Sequence, residues 1–194
     1  MFERYLGIFF MGIVIKLMDD YLDQDFDKLK DENIINYSIK LKKGILPYSL
    51  LLFVFALYLN FEETLSLFLA SYVIGMVYDL KQRLPSYLYG WQESLVVLFL
   101  CIIMTSLSIT ISSLILVIML QLIDDYIDYY KDLEVNEENY IKKLGYIPGI
   151  TVIVILGLIS LKFFSLRFLY FFTAVINLYL LDYILIIIDQ KKGL

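Results

Sequence analysis

Long apolar runs separated by short charged clusters set the pattern of this chain. A membrane-crossing helix needs about 20 predominantly apolar residues. By that measure the runs predict seven spans, at about residues 4–20, 46–60, 64–80, 90–107, 111–130, 148–163 and 166–188. One stretch is ambiguous: from Ser94 to Ile123 no residue is charged. It reads either as one long helix or as a hairpin turning within the polar run Thr105-Ser106-Leu107-Ser108-Ile109-Thr110-Ile111-Ser112-Ser113.

Charge favours the hairpin. With it, Lys28, Lys30, Lys40, Lys42, Lys43, Lys81, Arg83, Lys131, Lys142, Lys143, Lys191 and Lys192 gather on one side, and only Arg4, Lys162 and Arg167 on the other. Cytoplasmic loops carry the excess of Lys and Arg, so the crowded side is cytoplasmic. A single long helix would scatter these lysines over both sides. Lys16 and Asp182 are left inside spans, where ionisable residues raise a suspicion of function.

The spans contain a repeat. Asp19-Asp20-Tyr21-Leu22-Asp23-Gln24-Asp25-Phe26-Asp27 closes the first apolar run, and Asp124-Asp125-Tyr126-Ile127-Asp128-Tyr129-Tyr130-Lys131-Asp132 closes the fifth. Lys42-Lys43-Gly44-Ile45-Leu46-Pro47 follows the first, and Lys142-Lys143-Leu144-Gly145-Tyr146-Ile147-Pro148 the second. Each proline suits a helix's first turn, where its missing N–H costs nothing. We therefore expect a single integral membrane domain over 1–194, with repeat halves of roughly 1–90 and 91–194.

Composition narrows the chemistry. The chain is 60% hydrophobic, with a mean hydropathy of +0.75, well above the range of soluble domains. It has one cysteine and no histidine, which excludes disulfides, thiolate clusters and imidazole-held zinc. Any bound metal must be held by oxygen, which favours Mg²⁺, Mn²⁺ or Ca²⁺. No cleavable signal peptide is expected, because the first apolar run leads straight into the acidic motif. No nucleic-acid footprint is visible.

Asp19, Asp23 and Asp27, and again Asp124, Asp128 and Asp132, are spaced i, i+4, i+8. On a helix such residues share a face about 6 Å apart. Two carboxylates at that distance repel by roughly 3 kcal/mol at an effective dielectric near 20. A helix C-terminus already carries partial negative charge and ordinarily favours Lys or Arg. Acids there call for a cation. An EF-hand is suggested by Asp23-x-Asp25-x-Asp27 but fails, since Lys28 holds the required glycine position and Ile34 the terminal Glu position. The Asp-Asp-x-x-Asp box of soluble isoprenoid synthases is present at Asp19–Asp23 and Asp124–Asp128, on a composition that a soluble domain does not need.

These paired motifs resemble those of the UbiA superfamily of intramembrane prenyltransferases. That family carries an Asn-x-x-x-Asp-x-x-x-Asp motif and a later Asp-rich motif followed by a Leu-Gly segment. Here Asp19, Asp23 and Asp27 match the first, with Asp in place of Asn. Asp124, Asp128 and Asp132 match the second, followed by Lys143-Leu144-Gly145. Tyr78-Asp79-Leu80-Lys81-Gln82-Arg83 is similar to the family's Tyr and Lys/Arg segment. Departures are seven spans rather than nine, Ile127 where many members have Arg, and Lys131 in place of glycine.

The resemblance implies an all-α transmembrane bundle, multi-pass in the cell membrane, with its active site facing the cytoplasm. It implies Mg²⁺ held by the six motif aspartates, and a prenyl diphosphate whose departing charge is met by Lys81, Arg83 and Lys28. Asp23, Asp128, Lys81 and Tyr78 are the expected catalytic residues. The prenyl group would pass to a lipophilic acceptor, with an aromatic one expected; a membrane terpene cyclase is the close variant. Readings of another class are a divalent-cation binding or transport protein, with acids at a pore mouth, and a non-catalytic membrane partner subunit.

Overall fold

The computed structural model describes residues 2–22, 44–76, 80–127, 129 and 139–192. Among them the fold is helical: α1 Phe2–Leu22, α2 Ile45–Leu59, α3 Phe61–Gly75, α4 Gly90–Met104, α5 Leu107–Ile127, α6 Tyr140–Leu144 and α7 Tyr146–Lys192. Phe164, at φ −138° and ψ 38°, leaves helical geometry and breaks α7 in two.

Each interruption has a local cause. Asn60 ends α2 in an extended conformation, and its side-chain oxygen accepts the Glu63 N–H at 3.1 Å, starting α3 one residue later. Thr105 (φ −120°, ψ −93°) ends α4 and turns its hydroxyl back onto Cys101 O at 2.8 Å. Ser106 Oγ then accepts the Ile109 N–H at 3.3 Å, which satisfies one of the orphan donors at the start of α5. The polar run is therefore a helix break, placed at its first two residues. At the α6–α7 junction Gly145 takes φ +92°, a conformation that a Cβ makes costly. Pro47 and Pro148 both stand third in their helices, within the first turn where no intrahelical partner for an N–H is lost. The short helix α6 had no counterpart among the expected spans.

Among the described residues, two helices are long and apolar enough to cross a membrane by length and composition, Leu107–Ile127 and the Tyr146–Leu181 part of α7. The apolar helices α2 and α4 have 15 residues each, about 22 Å at 1.5 Å per residue. Large side chains such as Leu51, Phe99, Ile103, Leu158, Phe163 and Leu166 are exposed, and Ser66, Thr110, Ser112, Ser113, Glu63 and Arg167 are buried beside apolar residues such as Met11, Leu67 and Leu116.

Backbone packing divides the chain into two compact units, Met1–Thr64 with Tyr170–Leu194, and Leu65–Leu169. In the first, α1 packs on α2. A Cβ at Gly7 would lie 3.5 Å from Ala56 O and 3.1 Å from Thr64 Cγ2, so the small residue permits close backbone approach. Phe10 meets Phe55 edge to face at 5.1 Å. The second half of α7 joins them through Asn177 Nδ2, which donates to Tyr5 Oη at 2.6 Å. In the second unit, α5 is the centre: eight of its residues are buried, and α3, α6 and the first half of α7 bond or pack against it.

Candidate functional site: the aspartate-bearing helix ends

The two acidic motifs sit at matching places in matching helices. α1 and α5 both have 21 residues, and a shift of 105 lays Phe2 on Leu107, Asp19 on Asp124 and Leu22 on Ile127. Neither helix has a basic residue in its last turn. Two acids on a helix end that already carries partial negative charge are unfavourable unless compensated.

Of the expected metal ligands, Asp19 is exposed on the last turn of α1 and Asp124 is half-buried on the last turn of α5. They belong to different units. Asp23, Asp27, Asp128 and Asp132 lie outside the described residues, as do the expected Tyr78 and Lys28. Among the described residues no three acidic side chains converge. Lys81 and Arg83 are both exposed, on the connection between α3 and α4. Lys16 is half-buried on α1, and the side chain of Asp182 is outside the description.

Asp125 is the acid whose use is plain. It is buried, and its Oδ2 accepts the Tyr140 N–H at 2.8 Å. Its backbone oxygen accepts from Asn139 Nδ2 at 2.8 Å, and the Asn139 side-chain oxygen in turn accepts the Lys142 N–H at 3.1 Å. Asn139 thus caps α6 and also satisfies a carbonyl at the C-terminal end of α5. A carboxylate accepting a backbone N–H makes a charge-assisted bond, stronger than a neutral one. The chain returns to the helix end it left, 14 residues on. Tyr126 reinforces this closure: its hydroxyl lies 2.6 Å from that of Tyr146, whose ring also meets Tyr129 at 5.5 Å.

At the other ends of the same helices lie two charged locks that sequence reasoning had not assigned. In the first unit Arg4 of α1 is ion-paired with Glu63, the latter almost fully buried. The Arg4 guanidinium also lies 6.0 Å from the Tyr170 ring centroid. In the second, Arg167 is buried, and Nη1 donates to Ile109 O at 2.7 Å and to Ser112 Oγ. Its Nη2 donates to Ser66 at 2.9 Å and to Ser113 at 2.6 Å. Two of the three cations counted on the sparsely charged side are therefore held by protein groups. The available signal was the clustering of Ser66, Ser112 and Ser113 within apolar helices, where hydroxyls mark interhelical contacts.

Were the motif aspartates to hold a metal, an all-carboxylate donor set without histidine or thiolate would favour Mg²⁺-type ions. Comparison with family models, curated proteins and solved structures returns no match for this chain. The family resemblance rests on the motifs alone.

Proposed function

We propose that this chain is a Mg²⁺-dependent intramembrane prenyltransferase, ionising a prenyl diphosphate and transferring the prenyl group to a lipophilic acceptor. One observation carries the reading: the same Asp-Asp-Tyr-aliphatic-Asp-x-x-x-Asp motif begins in the last turn of two helices of equal length in the same register, and neither helix places a basic residue in that turn. The outward apolar surface and inward hydroxyls support a multi-pass membrane setting, and the lysine distribution supports motif ends that face the cytoplasm.

In this reading Asp19, Asp23, Asp27, Asp124, Asp128 and Asp132 would be the metal ligands. When bound, Mg²⁺ supplies charge neutralisation at the diphosphate oxygens. Lys81, Arg83 and Lys28 add positive charge as the diphosphate departs. The ring of Tyr78 offers its negative face to the developing allylic cation. Helix packing keeps water from that cation.

The test is incubation of the purified protein with labelled prenyl diphosphates and Mg²⁺, with diphosphate release measured and lipid products identified. Asp23→Asn and Asp128→Asn should each abolish release. Unchanged release in both variants overturns the proposal. A cyclic hydrocarbon, in place of a prenylated acceptor, would assign the cyclase variant.

A further inference from the structure

The connection between α3 and α4 is a built hairpin. Across residues 80–91, Trp91 N–H donates to Leu80 O at 3.3 Å, Gly90 N–H to Gln82 O at 3.1 Å, and Leu84 N–H to Leu88 O at 2.9 Å. Arg83 and Tyr89 form a single antiparallel bridge. Glu93, in the first turn of α4, pins the hairpin down. One of its oxygens accepts from Ser86 Oγ at 2.6 Å and the other from Tyr72 Oη of α3 at 2.5 Å. Tyr87 is held at φ +66°, a region that bulky side chains avoid. It stays there with its N–H on Leu84 O and its carbonyl accepting from Arg83 Nε at 3.4 Å.

This rigid element spends its order on exposing aromatic rings. Tyr87 is 79% exposed, Tyr89 45% and Trp91 48%, beside the exposed cations Lys81 and Arg83. The Arg83 guanidinium lies 5.8 Å from the Tyr87 ring centroid. Trp91 also heads a stripe at i, i+4, i+8 and i+12, Trp91-Leu95-Phe99-Ile103, exposed along α4. That stripe runs about 18 Å. An apolar stripe that ends in Trp and Tyr with cations beside them has the make-up of a bilayer's boundary, hydrocarbon giving way to an interface of aromatic rings and headgroup charge.

We propose that the 80–91 hairpin is an interfacial anchor. Tyr87, Tyr89 and Trp91 seat at the bilayer–water boundary, and Lys81 and Arg83 meet the phosphates of anionic lipid headgroups. The inference rests on the membrane reading and is independent of prenyl transfer. Were both correct, the anchor would hold Lys81 and Arg83 at the depth where a diphosphate on a membrane-embedded tail lies.

Trp91 is the chain's one tryptophan, so it reports its own depth. The full chain is reconstituted in phosphatidylcholine vesicles carrying bromine either near the headgroup or near the chain terminus. Stronger quenching by the shallow label is the expected result. Energy transfer from Trp91 to labelled phosphatidylglycerol should exceed transfer to labelled phosphatidylcholine, by about fivefold per interacting cation. Lys81→Gln with Arg83→Gln should remove that preference while leaving the quenching depth unchanged. Stronger quenching by the deep label overturns the anchor, as does quenching by aqueous iodide alone. A lipid preference that survives the double substitution overturns the headgroup contact. None of these results depends on catalysis, so failure of the anchor and failure of the transferase reading are told apart.

Discussion

The Arg167 lock makes a quantitative prediction about which of its two sides holds the second unit together. Removing the cation and removing its three serine acceptors both break the serine bonds but leave different residues behind. In Arg167→Met the serines keep other partners: Ser113 Oγ already donates to Ser66 Oγ at 2.8 Å, and Ser112 Oγ to Ile109 O at 3.0 Å. The buried charge disappears with its desolvation cost. The expected loss is then about 1–2 kcal/mol, one or two net hydrogen bonds' worth. In the triple variant Ser66→Ala, Ser112→Ala, Ser113→Ala, the guanidinium stays buried and loses three of its oxygen partners. Stranding a buried charge costs roughly 3–5 kcal/mol, although alanine is the better helix former. Cys101 supplies the assay, because it is the chain's only cysteine and is buried. A thiol-reactive dye read during a thermal ramp of detergent-solubilised protein follows the second unit opening. The triple variant should unfold at a clearly lower temperature than Arg167→Met. If Arg167→Met is equally or more damaged, the reasoning fails, because the serines would then not be solvating a charge that is costly to strand.

Gly145→Ala forces a Cβ into φ +92° and should cost about 1–2 kcal/mol in the same thermal assay; a loss of only a few tenths would mean that the junction relaxes. Asn139→Ala removes the α6 cap and the bond to Asp125 O, worth roughly 1–2 kcal/mol. Faster hydrogen exchange at the Lys142 amide is its local signature, and unchanged protection would count against the closure. Under the proposed function, Asp19→Asn and Asp124→Asn should each weaken the Mg²⁺ dependence of diphosphate release, and an unchanged dependence in both would remove these acids from the metal ligands.

The breaks at Asn60 and in the polar run were legible in the sequence because they are local: Asn60 and the Thr105-Ser106 pair act through their own side chains within four residues. The α6 turn and its Gly145 junction, and the end of α3 at Gly75, were not. The two locks were not legible, because their partners are remote. Arg167 finds Ser66 across 101 positions and Arg4 finds Glu63 across 59. A lone cation between apolar runs reads as a loop residue, and only packing reveals it as an interior one. The motif was legible as a motif but not as a division of labour. Asp124 and Asp125 are chemically identical neighbours, and what distinguishes them is Tyr140, 15 positions on.

That division bears on what each motif can offer a cation. Successive residues on a helix point about 100° apart, so Asp125 points away from the direction of Asp124 on α5. Its carboxylate is taken up by a backbone N–H, and its own carbonyl is satisfied by Asn139. Part of the acid excess at the end of α5 is therefore structural and is compensated without metal. The remainder is the i, i+4, i+8 series of the sequence, and the first motif repeats that series, its first member at the same distance from the end of α1. A charge run kept only for solubility would have no reason to keep this spacing twice while assigning the neighbouring acid of the second copy to the backbone. The repeated i, i+4, i+8 spacing, rather than acid content as such, is the feature that a cation-binding role explains.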